Sequence, residues 1–179
     1  MKAHMLPFAH AFEQTRIPRP LLAAALVAAM LQTPAQAADI TRHASGNPQS
    51  PIAAATEVPP GLTTVYLSGQ VPSVQNKEAP PTSAAAFGDT KTQTISVLGK
   101  IKTQLAALGL GLDDVVKVQA YLVADPATGK MDFAGFSAGY AEFFGGNPAI
   151  LNARSTMQVA GLVNPGWLVE IEVTAVKRP

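Results

Sequence analysis

The stretch DTKTQTISVLGKIKTQLAALGLGLDDVVKVQAYLV, residues 89–123, decides the fold. Within it Ile95, Leu98, Ile101, Leu105 and Leu108 recur at spacings of 3, 3, 4 and 3, which draws one apolar face of a helix over 90–108. Asp89 or Thr90 offers a side-chain oxygen to cap its first turn, and Gly109 and Gly111 stop it. Asp113-Asp114 then leads into Val115–Val123, which reads as a strand buried on at least one face. A helix with one apolar face delivered straight into such a strand predicts helix packed on sheet.

Working outward, LTTVYLS (62–68) is a β-branched and aromatic strand ended by Gly69-Gln70-Val71-Pro72, and residues 73–86 read as a loop. Before it, residues 51–58 can pair as an edge segment, closed by the turn Pro59-Pro60-Gly61. On the other side a second helix is predicted over 131–144, with Phe133, Phe136, Tyr140 and Phe143 as core rather than as a cofactor box. Two strands follow, near 153–160 and 167–177, joined around Asn164-Pro165-Gly166. The order is strand, helix, strand, helix, strand, strand. That describes an α+β single domain, a mixed β-sheet with two helices packed on one face. Val65, Leu67, Val116 and Val118 are expected to divide between the two sheet faces, which would leave an apolar face for a closed cyclic assembly.

The first 37 residues read as a secretory signal: Lys2, Arg16 and Arg19 precede the apolar run Leu21–Leu31, and Ala35-Gln36-Ala37 is a small-x-small cleavage site. The apolar run is too short to cross a bilayer, which takes roughly 20 residues. An uncleaved anchor is the competing reading, opposed by Pro18, Pro20 and Pro34. The organisation is therefore 1–37 signal, 38–50 flexible lead-in, and 51–179 folded domain. The expected location is the periplasm or the exterior, with no membrane contact in the mature form.

From Ala38 onward ten basic residues stand against eleven acidic ones, compared with 13 and 12 in the whole chain. That balance carries no basic stripe of the kind that binds nucleic acid. There is no cysteine, and His43 is the one histidine beyond the signal, so neither a Cys/His zinc site nor a Ser-His-Asp triad has its parts. No metal and no organic cofactor is expected.

Against this sparse background two segments carry chemistry: Asn152-Ala153-Arg154-Ser155-Thr156 and Leu168-Val169-Glu170-Ile171-Glu172. A guanidinium offers a carboxylate two parallel N–H donors and stays charged at any working pH. A glutamate can position and deprotonate a water. Glu170 and Glu172 share one side-chain direction in a regular strand, so strand parity does not choose between them. The competing readings are a salt bridge for Arg154 and an outward or interface residue for Glu170. Gly69 is a strand-end turn, a close backbone approach to a ligand, or both.

Taken together these segments resemble the Rid/YjgF (RidA-type) family of reactive-intermediate deaminases. The likeness runs from about 51 to 176 through Tyr66–Pro72, Gly88-Asp89 with Thr92-Gln93, Leu112–Val118 with Tyr121-Leu122, Phe133-Ala134, Tyr140, Phe143-Phe144, Ala153-Arg154-Ser155 and Val169–Glu172. It implies a chorismate-mutase-like subunit that assembles as a homotrimer with clefts between neighbours. It also implies hydrolysis of 2-imino acids or enamines to 2-keto acids and ammonia, without cofactor. Arg154 would clamp the substrate carboxylate and Glu170 would serve the water. Gly69, Ser137, Thr156 and Ile52 fall at pocket positions. Three of these depart from the family pattern: Ile52 stands where a Tyr is usual, Ser137 where an Asn is, and Thr156 where a Cys is. The departures keep open a second reading, a non-catalytic trimer that binds small carboxylates.

Overall fold

A computed structural model describes residues 39–179, so the expected signal at 1–37 lies outside the described residues. The elements are β1 (Thr41–Ala44), β2 (Ala53–Glu57), β3 (Thr63–Gln70), α1 (Thr90–Ala107), β4 (Val115–Val123), α2 (Phe133–Phe144), β5 (Ala153–Val159) and β6 (Val169–Lys177). They form one six-stranded sheet in the order β1-β2-β5-β4-β6-β3. β4 runs parallel to β5 and antiparallel to β6, which in turn pairs antiparallel with β3. Hence β4-α2-β5 is a βαβ unit, and β3-α1-β4 is a second one split by β6. Both helices lie on the same face, giving the α+β architecture that the element order predicts.

Alternation positions the core. Val118, Ala120 and Leu122 of β4 and Val169, Ile171, Val173 and Ala175 of β6 point to the helices and are buried. Against them pack Val97, Leu98, Ile101 and Leu105 of α1 and Phe136, Tyr140 and Phe144 of α2. The Asp89 carboxylate accepts the Thr92 N–H at 2.8 Å, capping α1 as its sequence suggests. The helices touch closely because residue 139 is glycine: a Cβ there would come within 2.8 Å of Thr94 Cβ and 2.9 Å of the Lys91 carbonyl.

Four expectations are corrected. Part of the stretch read as a lead-in is strand β1, paired antiparallel with β2. Arg42 secures it by donating to the carbonyls of Val115, at 2.9 Å, and of Leu151 and Asp113. Three carbonyls around one arginine are a tertiary feature with no local periodicity. The buried stripe of α1 begins with Thr90, Gln93 and Thr94, which hydropathy spacing passes over, whereas Leu108 falls beyond the helix and is exposed. On α2 the buried aromatics are Phe136, Tyr140 and Phe144, while Phe133 is 46% exposed at the first turn. Finally, the four apolar residues do divide, since Val65, Leu67 and Val118 belong to the helix-side core and Val116, the extra residue of a bulge at Val115/Lys117, does not. The open face is nonetheless polar rather than apolar, for it carries Lys117, Gln119, Glu170 and Glu172.

Candidate active site

Arg154 is placed by register. It pairs with Val118 across the parallel β4–β5 ladder, so it projects to the helix side, beneath α2. There its guanidinium carbon sits 4.2 Å from the centroid of Tyr140 and 5.1 Å from that of Phe136. Stacking on two rings stabilises a desolvated cation by about 0.5–2 kcal/mol. Burial nonetheless pulls the Arg154 pKa down, opposed by Tyr140, and burial pushes the Tyr140 hydroxyl up to about 12. No carboxylate among the described residues forms a salt bridge with Arg154. One of its terminal nitrogens is buried with no hydrogen-bond partner. Arg154 is thus a cation held largely out of water against two aromatic rings, with one donor unused.

Two more unpartnered buried atoms flank it, the Asn152 amide nitrogen and the Thr156 hydroxyl. Thr156 pairs with Ala120 and so shares the helix-side face with Arg154. Ser137 lies next to Phe136 on α2 and is half-buried. Ile52, just before β2, packs against the core. Other unpartnered atoms, Thr90 Oγ1 and Trp167 Nε1, lie elsewhere; on β5 and the residue just before it, three such donors stand within five residues.

Glu170 is on the other face. It pairs with Tyr121 of β4, whose neighbours Ala120 and Leu122 point to the core, so Glu170 projects to the open side. Glu172 does too, and is engaged there: it accepts from the Tyr121 hydroxyl at 3.2 Å and from Gln119 Nε2 at 3.4 Å. Together with Tyr66, Lys117 and Thr174 it lines a hollow of about 180 Å³. The Glu170 carboxylate takes part in no hydrogen bond or salt bridge among the described residues. It lies against Gly69, where a Cβ would overlap its Oε1. Gly69 sits at a bulge between β3 and β6, so the missing side chain is what lets that carboxylate rest there.

Within one chain, then, Gly69 and Glu170 come together on the open face, and Arg154 and Thr156 share the helix-side face with Ser137 on the helix above. β4 and the thickness of the sheet separate the two groups. Sequence reasoning named neither Tyr140 as the platform for Arg154 nor Asn152 as a buried polar neighbour. Tyr140 could have been read as more than core, since a phenol among phenylalanines brings a hydroxyl that burial obliges to find a partner. Among the described residues, no group of three or more His, Asp or Glu could hold a metal ion, and no helix is long and apolar enough to cross a membrane.

A model of the family described as endoribonuclease L-PSP matches residues 50–177. A RutC family protein of Pyrococcus horikoshii is 37% identical over 113 residues, covering 63% of this chain and 79% of its own. The 2-iminobutanoate/2-iminopropanoate deaminase of Salmonella typhimurium is 34% identical over 114 residues, covering 64% of this chain and 80% of its own. Among solved structures, a Rid family protein of unknown function from Yersinia pestis superposes with a TM-score of 0.58 at 28% identity, over 78% of this chain and all of that one.

Proposed function

The chain belongs to the Rid/YjgF family, and from that premise we propose that it hydrolyses reactive 2-imino acids, or their enamine tautomers, to 2-keto acids and ammonia. The observation that carries this reading is Arg154: a desolvated cation stacked on Tyr140 with an unused donor. A 2-imino acid places a planar carboxylate beside an electrophilic C=N carbon. With the carboxylate on Arg154, water adds to that carbon, a proton passes to nitrogen, and the C–N bond breaks to leave C=O and ammonia. Glu170 accepts the proton of the attacking water. Imines hydrolyse in water unaided, so orientation and polarisation are sufficient catalysis.

Two chains are required. A sheet keeps Arg154 and Glu170 on opposite faces of one subunit, so a cleft that uses both takes the arginine from one protomer and the glutamate from another. This supports a closed cyclic assembly, a trimer as the family resemblance implies, with its polar open faces turned inward. The N-terminal signal motivates an exported enzyme that clears imines in the cell envelope.

Freshly generated 2-iminopropanoate is the test substrate, followed by loss of semicarbazone formation. The purified protein should accelerate its hydrolysis and Arg154→Ala should not; equal rates for the two would overturn the reading. Mixing unfolded Arg154→Ala and Glu170→Gln chains and refolding them together should regain activity, since some clefts then hold both native groups. No regain would overturn the shared cleft. The second reading, a non-catalytic carboxylate binder, is favoured by Ile52, Ser137 and Thr156. Calorimetric binding of pyruvate with no turnover of any imine would select it.

A further inference from the structure

We propose that Asn152 is a ligand-binding residue whose side-chain amide is the second donor to the anion held by Arg154. The inference rests on the reading of Arg154 as a carboxylate clamp and adds a residue to it. Asn152 stands immediately before β5 and is wholly buried, at 0% exposure. Its backbone carbonyl accepts the Ala53 N–H at 3.0 Å, which fixes the chain, and its Oδ1 accepts the Tyr140 hydroxyl at 2.8 Å, which fixes the amide plane. With the hydroxyl directed at Oδ1, the free group is Nδ2, and it has no partner among the described residues. Buried amide donors are almost always satisfied, so one that is held rigid and left open calls for an acceptor from outside the chain.

The position of that acceptor follows from Tyr140. The Arg154 guanidinium lies over the face of the ring, and the Asn152 amide is anchored at its hydroxyl. Residues 152 and 154 are two apart along extended chain, so their side chains point to one face with Cα atoms about 7 Å apart. A guanidinium drawn back over Tyr140 is drawn toward Asn152. One planar carboxylate in front of the ring can take an N–H from each. Thr156 is four residues from Asn152, about 13 Å along a strand, too far to share one carboxylate with it. The pair is therefore Asn152 and Arg154, and its ligand class is the 2-keto or 2-imino carboxylate.

Pyruvate is the probe, with calorimetry for binding and 2-iminopropanoate for turnover. Asn152→Leu keeps the branched outline of the side chain but removes both the Nδ2 donor and the Oδ1 that accepts from Tyr140. It should weaken pyruvate about ten- to a hundredfold, the range for a bond to a charged group, and raise KM by a like factor with kcat little changed. Asn152→Ser, which retains a shorter donor, should recover part of the loss and carries the test if the leucine variant does not fold. A structural role predicts something else: a lower melting temperature with kcat and KM falling out of line together, and no recovery by serine. That pattern, wild-type affinity in Asn152→Leu (the site of a buried water only), or tighter binding would each overturn the proposal. If Arg154→Ala abolishes pyruvate binding while Asn152→Leu leaves it intact, the clamp stands and only the second donor falls. If wild-type protein binds no pyruvate, both fall.

Discussion

The two faces of the sheet handle polar groups in opposite ways. On the open face the side chains are mutually satisfied: Glu172 with Tyr121 and Gln119, and Lys117 with Ser155 at 3.3 Å. Water reaches that face in the single chain, and Tyr66 is 80% exposed. On the helix side, where nearly everything is hydrocarbon, Arg154, Asn152 and Thr156 each keep a buried atom without a partner. An unmade bond is cheap in water and costs about 1–3 kcal/mol when buried. The group to suspect of binding is thus the unpaired one in the dry region, not the more conspicuous cluster in the wet one. Glu170 is the exception on the open face, a carboxylate without a partner, and it is the one the family resemblance selects.

The strongest way to break this contrast is Arg154→Met. Two charge-assisted hydrogen bonds at about 1.5–3 kcal/mol each predict a loss of roughly 10²–10⁴ in kcat/KM for 2-iminopropanoate. Stability should move the other way. A buried cation with no acid partner is replaced by a side chain that fits among Phe136 and Tyr140, so the thermal midpoint should hold or rise. A fall in both activity and midpoint would mean that Arg154 is structural. Arg154→Lys should restore little, because an ammonium cannot present the fork.

Glu170→Gln comes next. It retains size and hydrogen bonding but not basicity, and about a hundredfold loss in kcat is expected, with KM and pyruvate affinity unchanged. The pH dependence of KM sharpens the same point. Arg154 remains a cation even with its pKa drawn down by burial, so KM should be flat between about pH 5 and 9. Stability follows Tyr140, whose folded-state pKa is raised from 10.0 to about 12. The neutral phenol is favoured in the fold, so that contribution is complete below the unfolded value of 10.0 and is lost as pH climbs to about 12. Chemical denaturation midpoints across that window, for wild type and Tyr140→Phe, measure it.

A smaller effect is expected at Gly69. An added methyl overlaps Glu170 Oε1, the free end of a flexible side chain, so Gly69→Ala should fold and push the carboxylate aside. Misplacement of a proton acceptor by an ångström predicts about a tenfold or larger drop in kcat with unchanged pyruvate binding. Loss of binding instead would put Gly69 on the ligand side.

Much of the fold was legible because it is written in local periodicity. Val115–Val123 is the strand its residues predict, and α1 and α2 fall within a few residues of their expected bounds. What escaped were features made by contacts distant in sequence. The bulge that sets Val116 apart from the regular alternation of β4 is made by pairing with β6. Gln93, wholly buried in α1, falls outside the apolar spacing that marks the helix. It donates to the carbonyls of Gly88 at 2.9 Å and Gly166 at 3.0 Å and accepts the Leu168 N–H at 2.7 Å, fixing the chain just before β6. Arg154 could be found from chemistry, as the lone arginine among small residues, but its platform and its separation from Glu170 need the register of β4, β5 and β6.

The smallest effect distinguishes the two glutamates. Glu172 shares the face and direction of Glu170, so strand parity leaves both eligible. Their surroundings differ: the Glu172 carboxylate accepts two long bonds, from Tyr121 and Gln119, in a half-open hollow. Glu172→Gln keeps an oxygen to accept from Tyr121 and removes a charge from a wet surface, where such a change moves stability by about 0.5 kcal/mol or less. Turnover should stay within about twofold, since the variant alters no group at either Arg154 or Glu170. If Glu172→Gln instead matched or exceeded the loss in Glu170→Gln, the engaged carboxylate would be the one that serves the water. The rule drawn from the two faces would then fail on the open side, because pairing with Tyr121 would be the means of aiming a catalytic group rather than the sign of an idle one.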